Sequence, residues 1–226
     1  MRWLRRLALS VGILAMVILS VAGHYYYKGF YHPAHHAGGE ALAGGRASVR
    51  GAVVVDDEEI LRLDEKAAIQ KAFLQRHGFS TKFCFLVDMR MPSGKARFFV
   101  YDLHKDSVVL AGMVAHGSGS RSFSATPSFS NINGSGCTSL GKYRIGYPYQ
   151  GQFGRAYKLY GLDTTNDRAF NRNVVLHSWT GVPEGETYPY PICNSRGCPM
   201  VSPAFLKQLQ PLIDGAGKPV LLWIFN

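Results

Sequence analysis

Acidic residues are scarce in this chain: 15 Asp and Glu stand against 25 Lys and Arg, for a formal net charge of +10. A surface with that balance favours polyanions such as nucleic acid, anionic lipid or an acidic cell-wall polymer. The devices that read nucleic acid or hold nucleotides are missing. There is no zinc-finger spacing, no Gly-rich phosphate loop and no dense Lys/Arg helix with interleaved aromatics. Nucleic acid is therefore not an expected partner. Charged residues make up only 18% of the chain against 46% hydrophobic, which excludes a disordered, solvating polymer. Internal repeats are absent, and 226 residues suffice for one good-sized domain with appendages.

One long apolar run is present, over residues 7–22, broken only by Ser10, Gly12 and Ser20. Arg2, Arg5 and Arg6 precede it, and His24, Tyr25, Tyr26, Tyr27 and Lys28 follow. Basic residues stay on the cytoplasmic side and tyrosines sit at the membrane interface, so the remainder is expected to be exported. Residues 1–28 then have two readings. One is a cleaved signal peptide, with Ser20 and Ala22 as small residues near the cleavage site. The other is a retained membrane anchor, which the tyrosine belt favours. Either places the folded part in the periplasm or cell envelope. Residues 29–55, rich in Gly, Ala and His without periodicity, read as a flexible linker. His24, His32, His35 and His36 lack the rigid framework of a metal site and read as a solvated tether. In an exported protein the four cysteines, Cys84, Cys137, Cys193 and Cys198, invite a disulfide, and the sequence does not choose the pair.

Residues 56–226 read as the domain. A helix is expected over 56–77, capped by Asp56 or Asp57, with Glu58 and Glu59 complementing its N-terminal dipole. Ile60, Leu63, Ala67, Ile69, Phe73 and Leu74 form its apolar side, and Gly78 stops it. Strand-like runs follow at 83–88, 97–103, 107–115, 157–162, 172–177 and 219–225. A second helix fits 202–212, with Ser202 as cap and Pro203 at its first position. Many strands and few helices give a mainly-β architecture, a sandwich or open barrel with a few peripheral helices. The long Ser/Gly loop over 117–136 is uncommon in a compact domain unless it serves a site.

The chemistry concentrates near the C-terminus. Cys198 sits in a loop behind Gly197, downstream of an apolar strand ending in His177. A thiol and an imidazole brought together from separate segments make an activated nucleophile. Gly197 lets the backbone bend and leaves room beside the sulfur. Amides near Gly197 and Cys198 are candidates for an oxyanion hole. Ser195 reads either as a substrate contact or as a turn stabiliser. The competing reading is a buried structural cysteine, or a Cys193–Cys198 bridge that would abolish the thiolate.

Several blocks in order carry a resemblance. They are Phe98 to Leu103 leading to Val114-Ala115-His116-Gly117-Ser118-Gly119-Ser120; Phe129-Ser130-Asn131; Gly134-Ser135-Gly136-Cys137-Thr138-Ser139-Leu140-Gly141; Gly161-Leu162-Asp163 with Asn166-Asp167; Arg172 with Val174-Val175-Leu176-His177; and Ser195-Arg196-Gly197-Cys198-Pro199. Over roughly residues 83–225 the chain resembles the L,D-transpeptidase catalytic-domain family of bacterial cell-wall enzymes, and within it the murein L,D-transpeptidase branch. The resemblance implies a cysteine acyltransferase with a β-sandwich or open-barrel fold of that type. Its cysteine takes a tetrapeptide stem of peptidoglycan as a thioester, releases the terminal D-alanine, and passes the acyl group to an amine of a second stem as a 3→3 crosslink. Cys198 then matches the nucleophile and His177 its base or thiolate partner.

The substrate and oxyanion region is expected to comprise Gly197, Ser195, His116 and Ser178, although His116 equally fits a structural residue pinning its loop. Residues 179–192, with Pro183, Pro189, Pro191, Tyr188 and Tyr190, read as a wall or lid over the donor, or as a plain surface loop. Arg172, by strand alternation, is expected opposite His177 in an internal salt bridge. Two positions depart from the wider family: Ser178 stands where Gly usually follows the histidine, and Met200 stands two residues beyond the cysteine in place of Arg. Peptidoglycan stem peptides are the expected partners, with the membrane engaged through the N-terminal segment. No metal or organic cofactor is implied. A carboxypeptidase using water as acceptor, and a non-catalytic wall-binding protein with a silent cysteine, remain the alternatives. A reactive Cys198 is also expected to be acylated by a carbapenem.

Overall fold

The computed structural model describes residues 55–226. The expected anchor or signal segment, and nearly all of the linker with its histidines, lie outside the described residues. Among those described, no helix is long and apolar enough to cross a membrane.

The domain opens with helix α1 (Asp57–Arg76). The Asp56 carboxylate caps it by accepting the Glu59 amide at 2.8 Å, and Asp57, Glu58 and Glu59 crowd its positive end. Its buried stripe is Glu59, Leu63, Ala67, Gln70 and Leu74. Ile60 and Ile69, expected on that side, are exposed, because each is one residue, about 100°, away from the stripe. His77 ends the helix, and Gly78 follows at φ +72°.

Nine strands and one further helix follow: β1 (Phe83–Asp88), β2 (Phe98–Asp102), β3 (Ser107–Gly112), β4 (Val114–Ala115), β5 (Gly141–Gly151), β6 (Gly154–Gly161), β7 (Val175–Ser178), β8 (Met200–Val201), α2 (Pro203–Asp214) and β9 (Leu221–Phe225). They form one sheet in the order β3-β2-β1-β9-β5-β6-β7-β8-β4. β1 with β9 and β7 with β8 are parallel; the other neighbours are antiparallel.

β3 and β4 occupy opposite ends of that order, yet only Met113 separates them in sequence. Two peptide steps span at most about 7 Å, so the ends of the sheet must come together. The sheet curls into a nearly closed barrel, the mainly-β architecture expected from the sequence. The run 107–115, which reads as one strand, is therefore split: Phe98 pairs with Gly112, while Val114 crosses to Val201.

Side-chain alternation divides the sheet into two buried faces. Phe85, Val87, Phe98, Val100, Leu222 and Ile224 point to a core that includes Tyr143, Tyr157, Leu176 and Val201, closed by Phe205, Leu206 and Leu209 of α2. Cys84, Leu86, Phe99, Tyr101 and Leu221 point the other way, against Leu63, Ala67 and Leu74 of α1. With both faces covered, these central strands are continuous hydrophobic runs, and β1 lies where the sequence places it.

Candidate active site

β7 places the imidazole. It pairs in parallel with β8, His177 beside Met200, and antiparallel with β6, His177 beside Ala156. Carried two residues back, the parallel register brings Cys198 alongside Val175 at the start of β7. The Val175 amide accordingly hydrogen-bonds toward the thiol, and Sγ lies 3.8 Å from Asn173 O. Burial pushes the Cys198 thiol above its ordinary pKa, while the Val175 amide and the charges of Arg172 and Lys158 pull it back toward thiolate.

His177 Nδ1 lies 3.1 Å from Ser178 O. A carbonyl only accepts, so Nδ1 carries the proton and Nε2 keeps its lone pair. Burial lowers the His177 pKa, and the bond to Ser178 offsets part of that, which favours the neutral imidazole. Among the described residues no hydrogen bond joins this ring to Sγ. Ser178, expected in the substrate region, enters through its carbonyl, which orients the imidazole. The ring of Phe153, at the turn between β5 and β6, stacks on His177.

The Cys198 loop is shaped by backbone packing. Gly197 has φ +109°, and a Cβ there would stand 2.6 Å from Cys137 O. A Cβ on Gly117 would stand 2.2 Å from Gly136 O and 2.9 Å from Gly197 Cα. Three segments thus meet main chain to main chain, and only glycine permits it. Ser195 Oγ accepts the Gly197 amide at 3.1 Å and donates to Cys198 O at 2.6 Å. Ser195 thus braces the turn around the cysteine. The Gly197 amide, expected as an oxyanion donor, is already engaged.

Arg172 lies in the turn before β7, since the strand begins at Val175 rather than at 172. It forms no salt bridge among the described residues. Its guanidinium reaches the Ser/Gly loop instead: Nη1 donates to Ser130 O at 2.8 Å and Ser139 Oγ at 3.1 Å, Nη2 to Cys137 O at 2.6 Å and Ser135 Oγ at 3.4 Å. This corrects the expectation of an internal ion pair, which rested on an alternation that a turn residue does not obey.

His116 is fully buried. Nδ1 lies 2.8 Å from Arg97 Nη2, and Nε2 lies 3.0 Å from Ser124 O. Arginine only donates, so Nδ1 is the acceptor and Nε2 carries the proton. Burial, then the Arg97 charge, push the His116 pKa down to about 4, leaving the ring neutral. Both ring nitrogens are thus bonded within the fold. His116 fastens the Ser/Gly loop, and Asn194 Oδ1 joins in by accepting the Ser124 amide at 2.6 Å. Arg97, which the sequence did not single out, is completely buried and spans Val114 O, Met91 O and His116.

Residues 179–192 are tied down by acids. Glu184 accepts from Ser202 Oγ at 2.7 Å and Ala204 N at 3.4 Å, at the start of α2. Glu186 accepts the Ala96 amide at 3.0 Å. Val182 and Ile192 are buried, while Trp179, Tyr188 and Tyr190 stay exposed. The contact with His177 comes from the β5–β6 hairpin, not from this loop. That hairpin and Lys158 were missed. Their one sequence signal is an aromatic cluster, Tyr147, Tyr149 and Phe153, around a Gly-Gln-Phe-Gly turn.

All four cysteines are free, so no Cys193–Cys198 bridge blocks the thiol. Among the described residues no group of three or more His, Cys, Asp or Glu side chains is arranged to hold a metal.

A Cys and a His on adjoining parallel strand ends, beneath glycine-packed loops, define a thiol site on a β scaffold. Residues 59–223 match the L,D-transpeptidase catalytic domain family. The chain belongs to that family. Among solved structures it is similar to an L,D-transpeptidase from Mycobacterium smegmatis (12% identity, 64% of this chain and 59% of that one, TM-score 0.40). It is also similar to an L,D-transpeptidase from Xylanimonas cellulosilytica (15%, 65% and 61%, TM-score 0.38). A third is the helical cell shape determining protein Pgp2 from Campylobacter jejuni (14%, 69% and 55%, TM-score 0.39). The match spans less than two thirds of each of these chains. No curated protein matches the sequence.

Proposed function

We propose that this protein is a peptidoglycan L,D-transpeptidase that works through a thioester on Cys198. Sγ attacks the carbonyl carbon joining the diamino acid of a tetrapeptide stem to its terminal D-alanine, after His177 Nε2 takes the thiol proton. The C–N bond breaks, the proton passes to the departing amine, and D-alanine leaves. An amine of a second stem then attacks the thioester, gives its proton to Nε2, and the C–S bond breaks to restore the thiol. The product is a 3→3 crosslink.

The observation that carries this reading is the His177 tautomer, with Nδ1–H committed to Ser178 O. It leaves Nε2 as the base on a strand whose register carries Cys198 beside it. With the Gly197 amide engaged by Ser195, the oxyanion donor falls to the Cys198 amide. The basic and apolar N-terminal sequence supports work outside the cytoplasm, in the cell envelope, with the chain either anchored or released.

The test mixes the full chain with disaccharide-tetrapeptide and reads the products by mass spectrometry, beside a Cys198→Ala control. Crosslinked dimer with loss of D-alanine, absent in the control, is the expected result. Loss of D-alanine without dimer makes the protein an L,D-carboxypeptidase. No reaction, and no adduct of Cys198 with a carbapenem despite a titratable thiol, would leave a wall-binding protein.

A further inference from the structure

β6 carries a lysine that the reaction above does not use. Lys158 pairs with Val175 of β7, two residues from the Ala156–His177 pair, so it shares the sheet face of His177. It is half-buried. Its Nζ donates to Asn173 Oδ1 at 3.0 Å, and it lies 5.6 Å from the Tyr149 ring centroid and 5.5 Å from that of Phe170. Asn173 holds the left-handed conformation, φ +55°, and its carbonyl oxygen is the one 3.8 Å from Cys198 Sγ. A single strained residue thus grips the lysine with its side chain and borders the thiol with its backbone. A conformation of that kind persists where the surroundings impose it.

Two cations act on the thiol, Arg172 and Lys158. Arg172 is committed to four acceptors in and just beyond the Ser/Gly loop, between Ser130 and Ser139. Among the described residues Lys158 has one such bond, and an ammonium has three donors. None of the ion pairs among the described residues includes it. It stands against two aromatic rings and an amide oxygen, with the nucleophile within reach of its charge, and among the described residues that charge has no fixed counterion.

We propose that Lys158 is the carboxylate receptor of the donor site, holding the free C-terminal carboxylate of the leaving D-amino acid beside Cys198. The proposal rests on the acyl-transfer reading. The scissile carbonyl must meet Sγ, and the leaving residue's carboxylate then lies one residue further along, about 3.5 Å of chain. A cation beside the thiol reaches that carboxylate and not the one on a stem longer by a residue. Lys158 thereby selects donors whose leaving group is a single amino acid.

The experiment uses two donor stems identical except at the C-terminus, one ending in D-alanine carboxylate and one in its carboxamide. The full-length protein is expected to favour the carboxylate by roughly tenfold in kcat/KM, chiefly through KM. Lys158→Met brings the donors to parity: both lose what its charge gives the thiolate, the carboxylate donor loses its advantage besides, and Lys158→Arg keeps the preference. An undiminished preference in Lys158→Met, or an equal loss on both donors, overturns the proposal. Calorimetric binding of both stems to Cys198→Ala and to Cys198→Ala/Lys158→Met supplies a reading without turnover. If the unsubstituted protein consumes neither donor, the acyl-transfer reading fails on its own. Binding still decides the role of Lys158: a carboxylate preference lost with Lys158→Met upholds it, and no preference overturns it.

Discussion

Phe153 lies on the imidazole of His177 with ring centroids 5.4 Å apart and planes inclined by 23°. The hairpin that delivers it turns through Gln152 and Phe153, between the paired Gly151 and Gly154, and Gly154 takes the positive φ such a tight turn needs. Half of Phe153 remains in solvent, so its apolar contact with the ring matters more for His177 than for the core. Phe153→Ala is expected to uncover the imidazole and let its pKa rise toward the ordinary value. Because the neutral form acts as base, the acid limb of the kcat/KM profile should move to higher pH, with little change in melting temperature. A profile that stays in place would show that other groups supply the burial.

Arg172 joins the Ser/Gly loop to the thiol by charge as well as by hydrogen bonds. Its replacement by Met removes a cation that favours thiolate, so the Cys198 pKa should rise further. The rate of iodoacetamide alkylation at neutral pH is expected to fall roughly three- to tenfold, with the pH–rate curve displaced upward. Lys at this position restores charge without the planar fork, and should recover reactivity better than loop order. Equal alkylation rates in the Met variant and the unsubstituted protein would remove Arg172 from the electrostatics of the site.

Gly197→Ala tests the backbone junction. A Cβ at φ +109° is strained, and it would stand 2.6 Å from a carbonyl oxygen that Arg172 also holds. The loop must shift, and a displacement of that order beside a nucleophile costs about 100-fold in rate. Gly217→Ala is the control, also at positive φ but with nothing within 4 Å of the added carbon. It should lose about 1 kcal/mol of stability and no activity. Comparable activities for the two variants would mean that the junction does not position Cys198.

What the sequence made legible follows from how local the cause is. β1, β2 and β9 are runs of apolar residues buried on both faces, and the caps Asp56 and Ser202 announce their helices within four residues. β5 escaped notice because Gly146 and Pro148 interrupt it, its outer half is exposed, and its register shifts between Ile145 and Pro148. Cys198 and His177 were readable as two chemistries in order along the chain. The groups that tune them were not. Arg97 meets His116 only through the curl of the sheet, Lys158 meets Asn173 only through the pairing of β6 with β7, and nothing periodic in the sequence marks an arginine destined for complete burial.

Two buried groups shift in opposite senses and should shape stability against pH. His116 titrates near 4 in the folded protein against an ordinary 6.5. Between those values the unfolded chain binds the extra proton, so stability is full above pH 6.5 and lost as pH falls toward 4. Glu59 is buried, its Oε1 has no hydrogen-bond partner among the described residues, and burial, then the Asp56 charge, push it up from 4.5 to about 7. Here the folded protein holds the extra proton, so its contribution is full below pH 4.5 and lost as pH rises toward 7. The two slopes oppose each other between 4.5 and 6.5 and flatten the curve there. Glu59→Gln removes only the second. The variant should exceed the unsubstituted protein by about 3 kcal/mol at pH 8 and differ little at pH 4.5, as read by urea denaturation at both pH values. Parallel curves for the two proteins would mean that the Glu59 carboxyl ionises in the folded state as readily as in the unfolded one.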